Sequence, residues 1–445
     1  MSIESCPADL LDRLETGAAA PASRRRAVRH LLSHCPVCRR PRPAIGDSLL
    51  LDGTREGAQE PLNEYQSELD RAVVRMSRAI VPQILGRDEG LERARQLVTS
   101  LEHRPTEARR LVGETDPRLA GALVDVLIAR SRDLRRGEPA RSFQYAQWAE
   151  WASRRSEQIE VRCRGLGELG NAQRILGDLN AAERSLDEAL RLARRHRLDP
   201  LARAHLYSLR ASLANYQRRF VEAVRWLRAA ALIYHHYQDH AGSARALIKL
   251  GFVEAERGRT EAGIAATARA LRSVLGLDAA TLELLATHNL IYLTAELEEA
   301  AEAEHLLDRA RPLIARQADA IDRLRFDWLG ARIRRELGAA DDAAERLEAV
   351  RQSFTEHELP YEAALVALDL AVAYRQLDRW TDLTRLLRQT ADLFANLGVP
   401  RESLTALGLL AEAEQAVSGD LLRQLMSTVR AARRRGPALA LDLEK

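Results

Sequence analysis

The chain repeats itself about every 40 residues, and this period constrains its fold more than any local feature. The segments RSFQYAQWA, NAAERSLDEA, VEAVRWLRAA, EAGIAATARA, EAEHLLDRA, DDAAERLEAV and TDLTRLLRQT align on Ser142, Ala182, Ala223, Gly263, Ala303, Ala343 and Leu383. The steps between those positions are 40, 41, 40, 40, 40 and 40 residues. A constant period in the range of about 20–50 residues marks stacked supersecondary units, none of which buries its apolar face alone. The 445 residues therefore form mostly one array, not the two or three separate domains that length alone suggests. Gly and Pro are sparse beside Ala, Leu, Arg and Glu, which favours helix throughout.

Each copy reads as two helices, A and B, joined by a tight turn. In the second copy Leu169-Gly170 precedes Gly177, Ala182, Leu186 and Ala189. In the fourth, Leu250-Gly251 precedes Gly258, Gly263 and Ala270. Small residues let the two helices of a unit approach closely, and large ones fill the groove of the next unit. These offsets resemble the tetratricopeptide repeat (TPR), over about residues 119–417. The phase is degenerate elsewhere: Arg218 and Glu298 hold the turn position, and Leu383 stands where a small residue is expected. HEAT-type repeats have a similar period but lack this phase. The resemblance implies an all-α, right-handed superhelical solenoid of antiparallel helix pairs.

The organisation read from the chain starts with a cysteine-bearing hairpin over 1–40 and a Pro- and Gly-rich linker over 41–61. An irregular helical cap covers 62–118, and about seven repeats cover 119–400. Capping helices and a basic tail fill 401–445, with Arg430, Arg433, Arg434 and Arg435. Basic residues at a helix end complement its dipole and keep an open solenoid end soluble.

The first segment carries the most chemistry. Cys6, His30, His34, Cys35 and Cys38 bring together thiols and imidazoles, the ligands that zinc prefers. The layout resembles the zinc-binding anti-sigma factor module, with an early Cys, a helical hairpin and a His before Cys-x-x-Cys. By that resemblance Cys6, His30, Cys35 and Cys38 hold a structural Zn2+, which supplies folding energy to a hairpin with little core. The spacing from His30 to Cys35 is one residue longer than in that family, so His34 stays open as the alternative ligand. A redox role for Cys35-Pro-Val-Cys38 is the competing chemistry, though no βαβ pattern surrounds it. Cys163 reads as a small packed hydrophobe.

From Gly17 to Ile45 there are Arg24, Arg25, Arg26, Arg29, Arg39, Arg40 and Arg42 but no acid. The whole chain is near balance, with 67 basic and 64 acidic residues, which argues against whole-chain attraction to nucleic acid. The acid-free stretch reads either as a docking face for an acidic partner or nucleic acid, or as a solvated face of an Arg-rich chain.

Tetratricopeptide arrays bind partners along the face formed by their A helices. Carrying over those positions gives Arg164, Asn171, Arg174, His205, Ser212, Asn215, Tyr216, Arg245, His288, Tyr292, Arg325, Trp328, Arg332, Arg335 and Arg375. Arg, Tyr and Trp combine contact area with hydrogen bonding, which fits a carboxylate-bearing peptide or protein. No phosphate loop with Lys, Gly-x-Ser-x-Gly or His-Glu-x-x-His occurs, and His235, His236 and His240 lie at an inter-repeat junction. No stretch has the ~18–20 apolar residues of a membrane span. The expectation is a non-enzymatic cytoplasmic regulator or adaptor. In one form the hairpin docks a sigma factor; in the other the array is a peptide receptor or scaffold subunit and the hairpin is a structural cap.

Overall fold

The computed structural model describes residues 8–33, 35, 80–135, 137–277, 279–397 and 406–410, and every regular element in them is helical. Helices α1 (Ala8–Glu15) and α2 (Pro21–Leu31) are followed by α3 (Ile80–His103) and α4 (Ala108–Gly113). The A and B helices then alternate. The first three pairs are α5 (Ala120–Leu134) with α6 (Pro139–Ser153), α7 (Ile159–Ile175) with α8 (Leu179–Arg195), and α9 (Pro200–Tyr216) with α10 (Phe220–His236). Next come α11 (His240–Glu256) with α12 (Thr260–Val274) and α13 (Ala280–Ala295) with α14 (Ala300–Gln317). The last two are α15 (Ala320–Glu336) with α16 (Ala340–Glu356), and α17 (Pro360–Gln376) with α18 (Trp380–Asn396). The all-α, tetratricopeptide-like architecture expected from the period is the one observed.

The small residues explain the pairing. Ser142, Ala182, Ala223, Gly263, Ala303, Ala343 and Leu383 are all buried, each in the first half of a B helix. Across from Gly263, a Cβ added to Gly251 would lie 2.8 Å from the Gly263 carbonyl oxygen. One added to Gly170 would meet Leu186 Cγ at 2.7 Å. The two helices of these pairs touch with no room for a methyl group, so Leu-Gly on helix A is a steric requirement.

The A-to-B turn is equally regular. Gly177, Arg218, Gly258, Glu298, Gly338 and Asp378 all have positive φ, between 56° and 88°. The following residue closes the helix by donating back five positions, as Arg219 does to the Ala214 carbonyl and Arg259 to the Glu254 carbonyl, both at 2.8 Å. This is the Schellman arrangement, in which Gly is the unstrained residue. Arg218 and Asp378 adopt it too, and Glu298 shares the positive φ, so the turn persists where its glycine has been lost. At helix starts, Asp178, Asp199, Asp239 and Asp319 accept backbone N–H groups of the first turn.

The chain divides into two compact units, Asp47–Ile233 and Met1–Gly46 with Tyr234–Lys445. In the first, α5 packs on α7 and α7 on α9; in the second, α11, α13, α15 and α17 stack in order. Within each unit successive A helices thus touch, so residues about 40 apart become neighbours. In the second unit α1 and α2 form a hairpin through Gly17 (φ 71°) and pack on α12 and α14. Leu11, Leu14, Ala27, Val28 and Leu31 are its buried apolar residues. Cys6, His34, Cys38, Arg39 and Arg40, the 41–61 segment and the C-terminal arginines lie outside the described residues. Among the described residues no helix is long and apolar enough to cross a membrane.

Gly251→Ala should lower stability by roughly 2–3 kcal/mol, because the opposing atom is a backbone carbonyl that cannot rotate away. Glu298→Gly should raise it by about 1 kcal/mol, by relieving the left-handed conformation. Urea unfolding followed by circular dichroism checks both signs.

Candidate partner-binding surface

In the unit spanning Asp47–Ile233, the A-helix residues singled out by the repeat phase lie on α7 and α9 and are mostly half-exposed. Arg164 pairs with Asp125 of α5 at 2.9 Å. Asn171 is buried and accepts from Arg174 Nη2 at 2.6 Å. That bond lays the Arg174 guanidinium over the Tyr216 ring of α9, 4.7 Å from its centroid. His205, Ser212 and Asn215 are half-buried beside them on α9. Asn215 Oδ1 is shielded from solvent and has no hydrogen-bond partner. The layer therefore offers a fixed cation and an aromatic ring, both half-exposed.

The corresponding layer in the other unit is closed. Leu282 to Ala295 of α13 are all buried, and with them Trp328, Arg332 and Arg335 of α15. Trp328 donates its indole N–H to Asp369 at 2.8 Å. Arg335, with no exposed side-chain surface, reaches Asp369 Oδ1 and the Asp369 carbonyl, both at 3.3 Å. Arg332 pairs with Glu296 at 3.3 Å and lies 5.0 Å from the Tyr292 ring centroid. Burial alone would lower the Arg332 pKa, but Asp369, Tyr292 and Glu296 outweigh it and hold the guanidinium charged. Burial pushes the Tyr292 phenol well up. Trp328, Arg332, Arg335, His288 and Tyr292 thus tie successive A helices together instead of lining an open groove. The reason is that each arginine has a carboxylate one repeat away. Arg325 pairs with Asp322 at 2.8 Å, while Arg245 and Arg375 are half-buried on α11 and α17.

His288 sits inside this cluster, edge-on to Phe326 at 5.2 Å. Neither imidazole nitrogen meets a partner in ordinary hydrogen-bond geometry. Burial pushes its pKa down to about 4; the charge of Arg332 acts the same way and the neighbouring Asn289 side chain opposes it. The ring is neutral near pH 7. Cys163 is also buried, its thiol pushed up to about 11 by burial, in keeping with a packing role.

The basic stretch is not an open face either, as far as it is described. Arg24 is buried between Glu261 at 2.5 Å and Glu299 at 2.9 Å. Arg25 reaches Glu299 at 3.0 Å, and Arg29 forms a two-pronged pair with Glu302. Arg26 is exposed. An acidic surface does meet these arginines, and it belongs to the chain's own repeats. Of the expected zinc ligands, His30 ends α2 and Cys35 is buried just beyond it, while Cys6 and Cys38 fall outside the described residues. Among the described residues no group of three or more His, Cys, Asp or Glu is placed to hold a metal ion.

Sequence reasoning missed the acidic partners: Asp369 and Glu296 in the array, and Glu261, Glu299 and Glu302 against the hairpin. The period holds the signal for the first, since Asp369 is 40 residues beyond Leu329 and so stands level with the α15 arginines. Nothing in the sequence marks the second set, because glutamates in the first turn of a helix are ordinary dipole-complementing residues.

No protein-family model matches the chain, and no curated protein matches it. Its fold is similar to two solved structures. A Rap protein complexed with competence and sporulation factor is 15% identical, over 71% of this chain and 88% of that one, with a TM-score of 0.50. Aspartyl phosphate phosphatase F from Bacillus subtilis is 13% identical, over 88% and 95%, with the same TM-score of 0.50. At such identities the likeness is one of fold.

The buried imidazole makes stability depend on acid. With a folded pKa of about 4 against about 6.5 unfolded, the unfolded chain binds the proton first. Stability from this residue is intact above about pH 6.5 and falls by about 3 kcal/mol as pH drops toward 4. His288→Leu should flatten that part of the slope, read as the difference in urea midpoint between pH 7 and pH 4.5 for the two proteins.

Proposed function

We propose that this chain is a non-catalytic regulator or adaptor whose repeats bind a carboxylate-bearing peptide or protein segment on the A-helix layer of α7 and α9. The observation that supports this reading is the half-exposed Arg174–Tyr216 stack. A peptide laid there gives a carboxylate to Arg174 and a side chain to the Tyr216 ring. The α13–α15–α17 layer, whose arginines are already matched by acids, serves rigidity. The Rap protein is complexed with a factor, competence and sporulation factor, which fits a binding role for an array of this kind.

The hairpin fits a structural cap better than a docking element for a sigma factor, because Arg24, Arg25 and Arg29 are engaged by the array's glutamates. Its structural Zn2+, held by Cys6, His30, Cys35 and Cys38, is part of the same proposal. The hairpin topology supports it: α1 starts two residues after Cys6, and the short Gly17 turn returns that end toward the end of α2, where His30 and Cys35 lie. Bound there, the metal would supply folding energy to the hairpin. Purified protein should contain one zinc per chain by mass spectrometry of metals, and Cys35→Ser should lose it.

Affinity capture from the native organism, quantified by mass spectrometry, tests the binding reading. Arg174→Ala with Tyr216→Ala should deplete the specific partner at least about tenfold, the loss of one anchoring pair. Trp328→Phe should leave capture unchanged. Equal capture by the wild type and the double variant, both folded by circular dichroism, would sink it.

A further inference from the structure

The contact between the N-terminal hairpin and the array is charged to an unusual degree for so small an element. The carboxylates that receive Arg24, Arg25 and Arg29 come from the start of a B helix: Glu261 and Glu302 lie in the first turns of α12 and α14, and Glu299 is the residue just before α14. Arg24 joins Glu261 to Glu299, so α2 bridges two successive repeats. The polarity reverses at α1. Asp12 and Glu15 receive Arg272, near the end of α12, at 3.1 and 2.6 Å, and Arg269 donates to the Glu15 carbonyl at 2.7 Å. Burial raises the Glu15 pKa, with Arg272 opposing it.

Helix dipoles sharpen this arrangement. The positive ends of α12 and α14 repel arginine, and only the glutamates there turn repulsion into attraction. The acids of α1 at the end of α12 face its negative pole and are likewise held only through Arg272 and Arg269. The apolar seat comes from Leu11, Leu14, Ala27, Val28 and Leu31 on two helices of only 8 and 11 residues. Helices of this length are marginal on their own, so their order depends on the seat they occupy.

We propose that the B-helix face of α12 and α14 is an interaction surface for an arginine-bearing helix, and that α2 is its intramolecular occupant, held as a charge-dependent latch. While the latch is closed, Glu299 and Glu302 are largely covered and Arg24 is buried, with Glu261 at the exposed rim of the contact. A partner reaches either surface only after the hairpin lifts away. In the opening the N-terminal hairpin leaves its seat on α12 and α14, with the repeats left folded. This goes beyond the binding layer on α7 and α9 and does not depend on it.

Hydrogen exchange by mass spectrometry on the full-length chain tests the latch. Glu302→Arg should speed exchange of residues 21–31 at least about tenfold while α17 and α18 keep their protection. Adding Arg29→Glu to that variant should restore most of the lost protection, because the swapped pair has the same geometry. In the wild type, raising NaCl from about 0.05 M to about 1 M should speed exchange of 21–31 but not of α17. Residues 21–31 that stay protected in Glu302→Arg would overturn the proposal. So would protection that the swap does not restore, or exchange of 21–31 in the wild type that ignores salt.

Discussion

Everything in the array is registered to one contact, the crossing of an A helix and its B helix at small residues. At Gly251 and Gly263 the crossing is backbone against backbone; at Gly170 it is backbone against the Leu186 side chain. Because that crossing recurs every 40 residues, with a single step of 41, each A helix within a unit meets the next at nearly the same level. A left-handed turn residue after every A helix from α7 to α17 sends the chain into B at a fixed angle. Its conformation holds even where Arg218, Glu298 or Asp378 replaces glycine, so packing on both sides overrides the local preference at a cost of about 1–2 kcal/mol per site.

That registration decides what the arginines do. The chain is so rich in arginine that the residue type says little about role. Position relative to the acids one repeat away says more. In α15 the arginines find Asp369 on the next A helix and Glu296 on the preceding repeat, and the layer closes into a dry, ion-paired spine. In α7, Arg174 finds only Asn171 and the Tyr216 ring, and stays half-exposed. The same residue type at equivalent steps of one repeat is therefore a buried tie in one unit and half-exposed in the other.

The hairpin shows the same logic at longer range. Its arginines and the glutamates that receive them are more than 230 residues apart, at 2.5 to 3.0 Å in the Arg24 and Arg25 pairs. Desolvation offsets part of the attraction in buried and half-buried ion pairs, but losing one partner leaves a charge unmatched, so these pairs fix both the place and the hold of the hairpin. They specify where the hairpin sits, while Leu11, Leu14 and Val28 supply the apolar contact.

By itself the sequence determined the repeating unit, its two helices, its turn and the small residues at the crossing. All of these rest on steric rules that act within about 40 neighbouring residues. It also put the A-helix positions on the right elements, since a helical phase carries from copy to copy. Only the tertiary structure decided which of those positions are open. Burial of Trp328, Arg332 and His288 depends on Asp369, Glu296 and Phe326, and those partners are recognisable only once adjacent repeats are stacked. The acid-free run of arginines was plain in the sequence as a charge bias. Its acidic counterpart was invisible, because ion pairing needs only a few ångströms in space and leaves no trace in chain separation.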